Sequence, residues 1–312
     1  RTSLVVLAVV YTCALPIHVG IARYQLRQRS LRSLVSETHS RAAIVAVYMN
    51  DRRNEIRHLI ESGTIQRHST ERSPDRASIE AISRILGQFG IDRRFGQAPV
   101  YSSLVFVAMD GTYRSVPVPD SKPLSLTRDA LQALINPLYY IQPTYLTYRQ
   151  ESGQPMLLLS VAVLSAGALQ GQLLAVLNPA ALDDRLRAAP PFSGRAVYLL
   201  TPGGEDVYVP DGTPVRWSPT VLSLLQKPQD TPVTLRVEDP EDTRESLIHT
   251  AVRTPLPASE FGLICLDPAH DVPAIGSIVR VSTLYIIVGA VLLGLAYAGW
   301  MRPDSGSGWH GL

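Results

Sequence analysis

Six tyrosines fall within fewer than fifty residues: Tyr101, Tyr113, Tyr139, Tyr140, Tyr145 and Tyr148, with Arg114 and Arg149 directly beside two of them. Tyrosine offers a flat apolar wall and one hydroxyl, and arginine offers a two-pronged grip on a carboxylate. That mixture suits recognition of a small organic ligand, above all an anion such as a carboxylate, in an apolar cavity with a few converging polar groups. The candidate ligand-binding set is Tyr101, Tyr113, Arg114, Tyr140, Tyr145 and Arg149. In "TYLTY", however, Tyr145 and Tyr148 face opposite ways if the segment is a strand. The competing reading makes these residues ordinary half-buried sheet positions and surface arginines.

Catalytic constellations are not evident. The histidines are scattered and none has metal-ligand spacing; His58 and His68 flank a polar loop. Cys13 and Cys265 lie at opposite ends without a CxxC, so neither a structural disulfide nor a metal site is expected. "ESGQP" and "PGG" are turns, with no following Lys-Ser/Thr to make a phosphate loop. Asp183-Asp184 and "EDPED" read as solvated helix-end and loop charges. No nucleophile–base pair or paired carboxylates can be argued from spacing, so neither an enzyme nor a cofactor is expected. A net charge of +2 gives no footprint for nucleic acid.

Candidate residues need a scaffold, and the apolar segments define it. Val281–Met301 carries no charge and is bracketed by Arg280 and Arg302. At about 1.5 Å per residue it covers the roughly 30 Å core of a bilayer. Thr2–Ala22 is a second stretch without Asp, Glu, Lys or Arg, closed by Arg23. The chain opens on Arg, and "TCALPI" (Thr12–Ile17) matches a translated sequencing-adapter end, so residues before His18 read as partly artefactual. A cleaved signal peptide is the alternative there, although no clean small-x-small site is present. "MLLLSVAVLSAGALQGQLLAVL" (Met156–Leu177) is also uncharged, but "SAGALQGQ" interrupts it. Two strand-length apolar runs around a Gly- and Gln-rich centre predict a buried hairpin. A lipid helix would leave Gln170 and Gln172 without partners.

Between the spans the chain reads as a soluble domain. Val35, Ala42, Met49 and Ile56 recur every seven residues within a helical stretch from Arg23 to Ile60. Such a helix reaches roughly 57 Å, long enough for a stalk or a dimer interface. Packing of the same face on its own domain explains the pattern equally well. "SGTIQRHSTERSPDR" is a polar loop and "ASIEAISRILGQF" an amphipathic helix. "YSSLVFVAMDGTYRSVPV" is a strand, an Asp-Gly turn and a strand. "LTRDALQALI" is a helix, "YYIQPTYLTYRQESGQP" an aromatic loop, and "NPAALDDRLRAAPPFSG" a helix ending in a linker. The pattern then restarts: "AVYLLTPGGEDVYVP" as two strands, "SPTVLSLLQ" as a helix, and "ESLIHTAVRTPLPASEFGLICLDP" as two more strands. Two related α/β units in tandem are implied.

This order resembles the double Cache sensor family, a relative of PAS-like folds. The residues that carry it are "LVFVAMDGTY", "PTYLTYRQESGQPMLLLSVAV", "GQLLAVLNPAAL" and "RTPLPASEFGLICLDP", spread over residues 23–275. The resemblance implies an α+β architecture: a long N-terminal helix, two tandem PAS-like antiparallel-sheet units and two flanking transmembrane helices. The implied divisions are a membrane segment at 1–22, stalk and second helix at 23–94, a membrane-distal unit at 95–190, a membrane-proximal unit at 191–275, a second span at 279–301 and a cytoplasmic tail at 302–312, cut short before an output domain. The family's extracytoplasmic members head histidine kinases, chemoreceptors and cyclic-dinucleotide enzymes, with the ligand in the distal unit. A bacterial inner-membrane receptor with a periplasmic or extracellular sensing domain is therefore expected, assembled as a homodimer. A membrane-anchored interaction or scaffold protein is the alternative. The family's amino-acid-binding signature, Arg-x-Trp-Tyr with a late Asp, is not matched by "NPLYYIQ" or by the apolar region near Val176. Arg23, Arg27, Arg29, Arg32 and Arg41 follow the first span on the outer side, against the positive-inside bias, though long domains translocate largely regardless of charge.

Overall fold

The computed structural model describes residues 2–68, 76–109, 111–119, 143–149, 155–165, 167–188, 195–201, 206–208, 223, 232–238, 246–256, 259–268 and 272–301. The chain divides into two compact units, Arg1–Ser33 with Ala269–Leu312, and Leu34–Pro268. The first contains the start of helix α1 (Thr2–Glu61) and helix α5 (Val272–Met301). Among the described residues no helix is long and apolar enough to cross a membrane.

The second unit contains the rest of α1. Leu34, Ala42, Val45, Met49, Ile56 and Ile60 are buried there at intervals of three, four, seven and eight, the face of a helix laid on a core. Ala42, Met49 and Ile56 are three of the four seam positions, and Met49 is 4% exposed. The seam is thus occupied by the domain's own core, not held open for a second copy. The helix stops at Ser62-Gly63: Gly63 takes φ 70° and Ser62 Oγ donates to Leu59 O at 2.8 Å. Among its described residues, the expected polar loop holds a short helix, α2 (Thr64–His68). Helix α3 (Arg76–Asp92) buries Ile82, Leu86 and Gly90. A Cβ at Gly90 would lie 2.7 Å from Val118 Cγ2, so glycine permits the close approach.

Strands β1 (Arg94–Phe95) and β2 (Ala98–Pro99) form a small hairpin around Gly96, at φ 59°. The distal sheet follows, with β3 (Tyr101–Ala108), β4 (Tyr113–Pro117), β5 (Thr144–Arg149), β6 (Pro155–Ser165) and β7 (Ala168–Leu177). Its order is β4-β3-β7-β6-β5, antiparallel throughout. Helix α4 (Pro179–Arg187) is capped by Asn178, whose side chain accepts from Ala180 N at 3.1 Å and donates to Pro99 O at 2.8 Å. The proximal sheet comprises β8 (Ala196–Leu200), β9 (Asp206–Tyr208), β10 (Val233–Glu238), β11 (Ser246–Pro255) and β12 (Gly262–Pro268). Its order is β10-β11-β12-β8-β9. Numbered within each sheet, both run 2-1-5-4-3, so the implied tandem of like units is present as a repeated topology.

Several expectations are refined. The uncharged run at Met156–Leu177 is a hairpin, but its turn sits at Gly167 (φ 78°), and Gln170 and Gln172 lie within β7. The segment read as an aromatic loop contains strand β5. Strand β10 is not among the expected elements, although "VTLRVE" alternates apolar and polar residues as a half-buried strand does. The helices expected at "LTRDALQALI" and "SPTVLSLLQ" fall outside the described residues, apart from Ser223.

Two buried connections tie α1 to the sheets. Tyr145 Oη donates to the carbonyl of Met49. At the proximal end Glu37 pairs with Arg41 at 2.6 Å and with Arg195 at 2.6 Å, and Arg195 reaches Asp267 at 3.0 Å. Arg41 Nη1 also donates to Arg195 O at 3.0 Å. Cys265, a free buried thiol, lies near this network, and burial pushes its pKa up to about 11.

Candidate functional site

Strand alternation divides the distal sheet into two faces. The inner face packs on the helices. Its rows include Phe106 opposite Leu173, Val161 opposite Leu173, and Tyr145 opposite Leu159. Gly171 belongs to it: an added Cβ would strike the Val107 carbonyl and come within 3.0 Å of the Phe106 ring.

The candidate residues do not gather on one face. Tyr101 is fully buried; its hydroxyl donates to Glu55 Oε2 on α1 at 3.0 Å, and its ring lies 5.7 Å from Phe89. Tyr145 is buried beneath Arg53, whose guanidinium sits 5.6 Å from the ring centroid. Burial pushes both phenols far above their ordinary value. These two tyrosines therefore join α1 to the sheet. Arg114 pairs with Phe106 and Arg149 with Pro155, so both take inner-face positions at exposed edges. Tyr113, opposite Val107, is on the outer face and 42% exposed. Tyr140 lies outside the described residues.

The outer face has a different character. Val105, Val107, Leu158, Leu174 and Val176 form a buried apolar bed, with Leu146, Tyr148 and Met156 packed against it. Polar side chains interrupt it. Ser160 is fully buried and Gln172 is 2% exposed. Gln172 Nε2 donates to Ser160 Oγ across β7 and β6. Ser103 and Ser115 hydroxyls meet at 3.0 Å across β3 and β4. Gln170, 8% exposed, is the extra residue of a bulge in β7. The side-chain carbonyl oxygens of Gln170 and Gln172 are buried with no hydrogen-bond partner. An unpaired buried amide oxygen costs about 1–3 kcal/mol.

Sequence reasoning places these glutamines in a turn because Gly167, Gly171 and both glutamines cluster there. The alternation Gln172, Leu174, Val176 is the signal that puts Gln172 on the outer face of a strand, whereas Gln170 falls at a bulge where the register of β7 against β6 skips one residue.

A recess of about 280 Å³ lies along α1 beside the β1–β2 hairpin, lined by Arg52, Arg93, Arg94 and Arg185 with Asp51 and Asp92. Arg52 pairs with Glu55 at 3.0 Å and Arg93 lies 3.9 Å from the same carboxylate, while Arg94 donates to the Gln97 carbonyl and Arg185 stacks over Phe95. Arg52 also covers the Tyr48 ring at 5.2 Å, and burial pushes the Tyr48 phenol up to about 12. This groove is open to solvent, whereas the outer sheet face is buried and leaves the Gln172 carbonyl oxygen without a partner. The sheet face is therefore the stronger candidate. Among the described residues no group of acidic, histidine or cysteine side chains could hold a metal ion.

No known protein family and no characterised sequence matches the chain. Its fold, however, is found in solved structures. The sensory domain of the Campylobacter jejuni chemoreceptor Tlp3 superposes with a TM-score of 0.54 at 10% identity, over 80% of this chain and 98% of that one. The same domain in complex with L-valine gives 0.52 at 11%, over 80% and 96%. The ligand-binding domain of the Pseudomonas fluorescens chemoreceptor CtaA, in complex with L-isoleucine, gives 0.52 at 15%, over 81% and 98%. The chain thus has the fold of chemoreceptor sensory domains, as the double Cache resemblance implied.

Proposed function

We propose that this chain is the ligand-sensing region of a bacterial transmembrane signalling receptor, and that it binds a small organic molecule on the outer face of the distal sheet. The single observation that carries the site is the buried side chain of Gln172, whose carbonyl oxygen has no partner, set in an apolar bed beside Ser160. The fold supports the role: similar domains occur in complex with L-valine and L-isoleucine in two chemoreceptors. Ligand binding on the sheet would bias a conformational equilibrium, and α1, bonded to both sheets, is the element that carries the bias onward.

The same reading includes a membrane anchor. Leu284, Ile286, Ile287, Val291, Leu293 and Leu295 of α5 are all more than half exposed, and Val281–Met301 contains no charge. Such a surface suits lipid better than water. Reporter fusions at Gly153 and at Leu312 then fall on opposite sides of the bacterial inner membrane, with the sensing domain outside; the same side for both refutes this topology. Dimerisation must use a surface other than the Ala42/Met49/Ile56 seam. A cysteine placed at Met49 is expected to give no cross-link between copies.

A thermal-shift screen of small organic molecules on the full chain in nanodiscs tests the sensing function. A ligand at one hundred times its Kd stabilises by about 2.7 kcal/mol. A hit that survives Ser160→Ala and Gln172→Met but is lost in Tyr208→Ala moves the site to the proximal sheet.

A further inference from the structure

The groove beside the β1–β2 hairpin brings together side chains that the sheet site does not use. Tyr48, Asp51, Arg52 and Glu55 come from α1, Asp92 and Arg93 from the end of α3, Arg94 from β1, and Arg185 from α4. At Gly96, the turn of the hairpin, a Cβ would lie 3.2 Å from Asp184 Oδ2. The hairpin turn therefore sits against α4, and Arg94 and Arg185 line one recess. Three of the four arginines rest on aromatic rings. Arg52 lies over Tyr48, Arg93 over Phe89 and Arg185 over Phe95, each 5.2 Å from the ring centroid. An aromatic ring holds an arginine in place without consuming its N–H donors.

The carboxylates of the groove are largely engaged or at its rim. Glu55 Oε2 accepts from the Tyr101 hydroxyl at 3.0 Å and pairs with Arg52 at 3.0 Å, and Glu55 Oε1 lies 3.9 Å from Arg93. Asp92 accepts from Gln88 Nε2 at 2.8 Å, and Asp51 is exposed. Arg94 is bonded to a neutral group, the Gln97 carbonyl, at 3.3 Å. At the floor the Tyr48 hydroxyl and Arg52 Nε are buried without a hydrogen-bond partner.

We propose that this groove is a second binding site, for phosphate or the phosphoryl group of a small molecule. Its arginines approach from α1, from the α3–β1 junction and from α4. Donors arriving from three directions suit a tetrahedral group with acceptor oxygens on every side better than a planar carboxylate with two. The lining sets four arginines against three carboxylates, a net charge of +1, which matches one compact anion and not a polyphosphate. The volume, about 280 Å³, lies just under the range of about 300–1,000 Å³ for drug-sized ligands and fits a small phosphomonoester. The site stands independently of the ligand site on the distal sheet.

Calorimetry on the full chain in phosphatidylcholine nanodiscs tests this with inorganic phosphate and with glycerol 3-phosphate, against succinate at matched ionic strength. At least one phosphate probe is expected to bind with a Kd below about 1 mM and at least tenfold more tightly than succinate. Arg94→Met and Arg185→Met are each expected to weaken that binding about tenfold and to leave the melting temperature of the unliganded chain unchanged. A variant of opposite sign guards against mere loss of structure: Asp51→Asn removes a like charge from the rim and should tighten phosphate binding about two- to fivefold. Gln172→Met should leave it as it is, which separates this groove from the sheet site. Phosphate probes that both bind more weakly than about 1 mM, succinate that binds as tightly as they do, or binding that survives both arginine variants overturns the proposal and leaves the sensing role standing.

Discussion

Replacing Glu37 by alanine probes how the proximal sheet is held to α1. Glu37 is 8% exposed and pairs with Arg41 and Arg195, each at 2.6 Å and each with a side chain 9% exposed. Losing one partner of a buried pair generally costs about 3–5 kcal/mol, because the remaining charge stays desolvated. Two features reduce the cost here. Asp267 still holds Arg195 at 3.0 Å, and Arg41 still donates to the Arg195 carbonyl. We therefore expect a loss of about 3 kcal/mol. Urea unfolding measures it, with Glu37→Gln as the shape-preserving control. In a double-mutant cycle with Arg195→Met, the coupling should reach about 1–3 kcal/mol. A loss below about 1 kcal/mol, the range of surface ion pairs, refutes the claim that this network joins helix to sheet.

Other substitutions probe the remaining contacts. Tyr145→Phe removes the bond to the Met49 carbonyl and is expected to cost about 1–2 kcal/mol in urea unfolding. Leu173→Ala, at a fully buried inner-face position between β3 and β6, should cost about 2–5 kcal/mol by the same assay. Gly171→Ala forces a methyl group against the Val107 carbonyl and should cost about 1–3 kcal/mol, visible as a lower melting temperature. The Cys265 thiol, ordinarily near 9.0, is raised to about 11 by burial. The folded state therefore holds its proton more tightly than the unfolded chain. Its contribution to stability is complete below about pH 9 and is lost as the pH rises towards about 11, up to about 3 kcal/mol. Cys265→Ala should flatten that alkaline decline, and the native thiol should resist iodoacetamide at pH 8.

Local patterns were legible in the sequence, and long-range partnerships were not. The apolar runs on either side of Gly167 announced the β6–β7 hairpin, and the Asp-Gly turn announced β3 and β4. The recurrence of Val35, Ala42, Met49 and Ile56 identified the buried face of α1, but a heptad reads alike whether the partner is a second helix or a sheet. Tyrosine composition pointed to the distal unit. It could not show that Tyr101 reaches Glu55, forty-six residues away in sequence, or that Tyr145 reaches the Met49 backbone, ninety-six away. Alternation puts Arg114 and Arg149 on the wrong side of the sheet for Tyr113 and Tyr148. Gln170 and Gln172 were misassigned because glycine and glutamine look like turn residues until the register of β7 is known. The Glu37–Arg195 pair, one hundred and fifty-eight residues apart, leaves no local trace at all.

Hydrogen-exchange mass spectrometry on the full chain, with and without a hit from the thermal-shift screen, tests the site most directly. Bound ligand should slow exchange in β6 and β7, residues 155–177, and at β3, residues 101–108, while β11 and β12, residues 246–268, stay unchanged. Protection confined to 246–268, with 155–177 exchanging as before, would contradict a ligand site on the distal sheet.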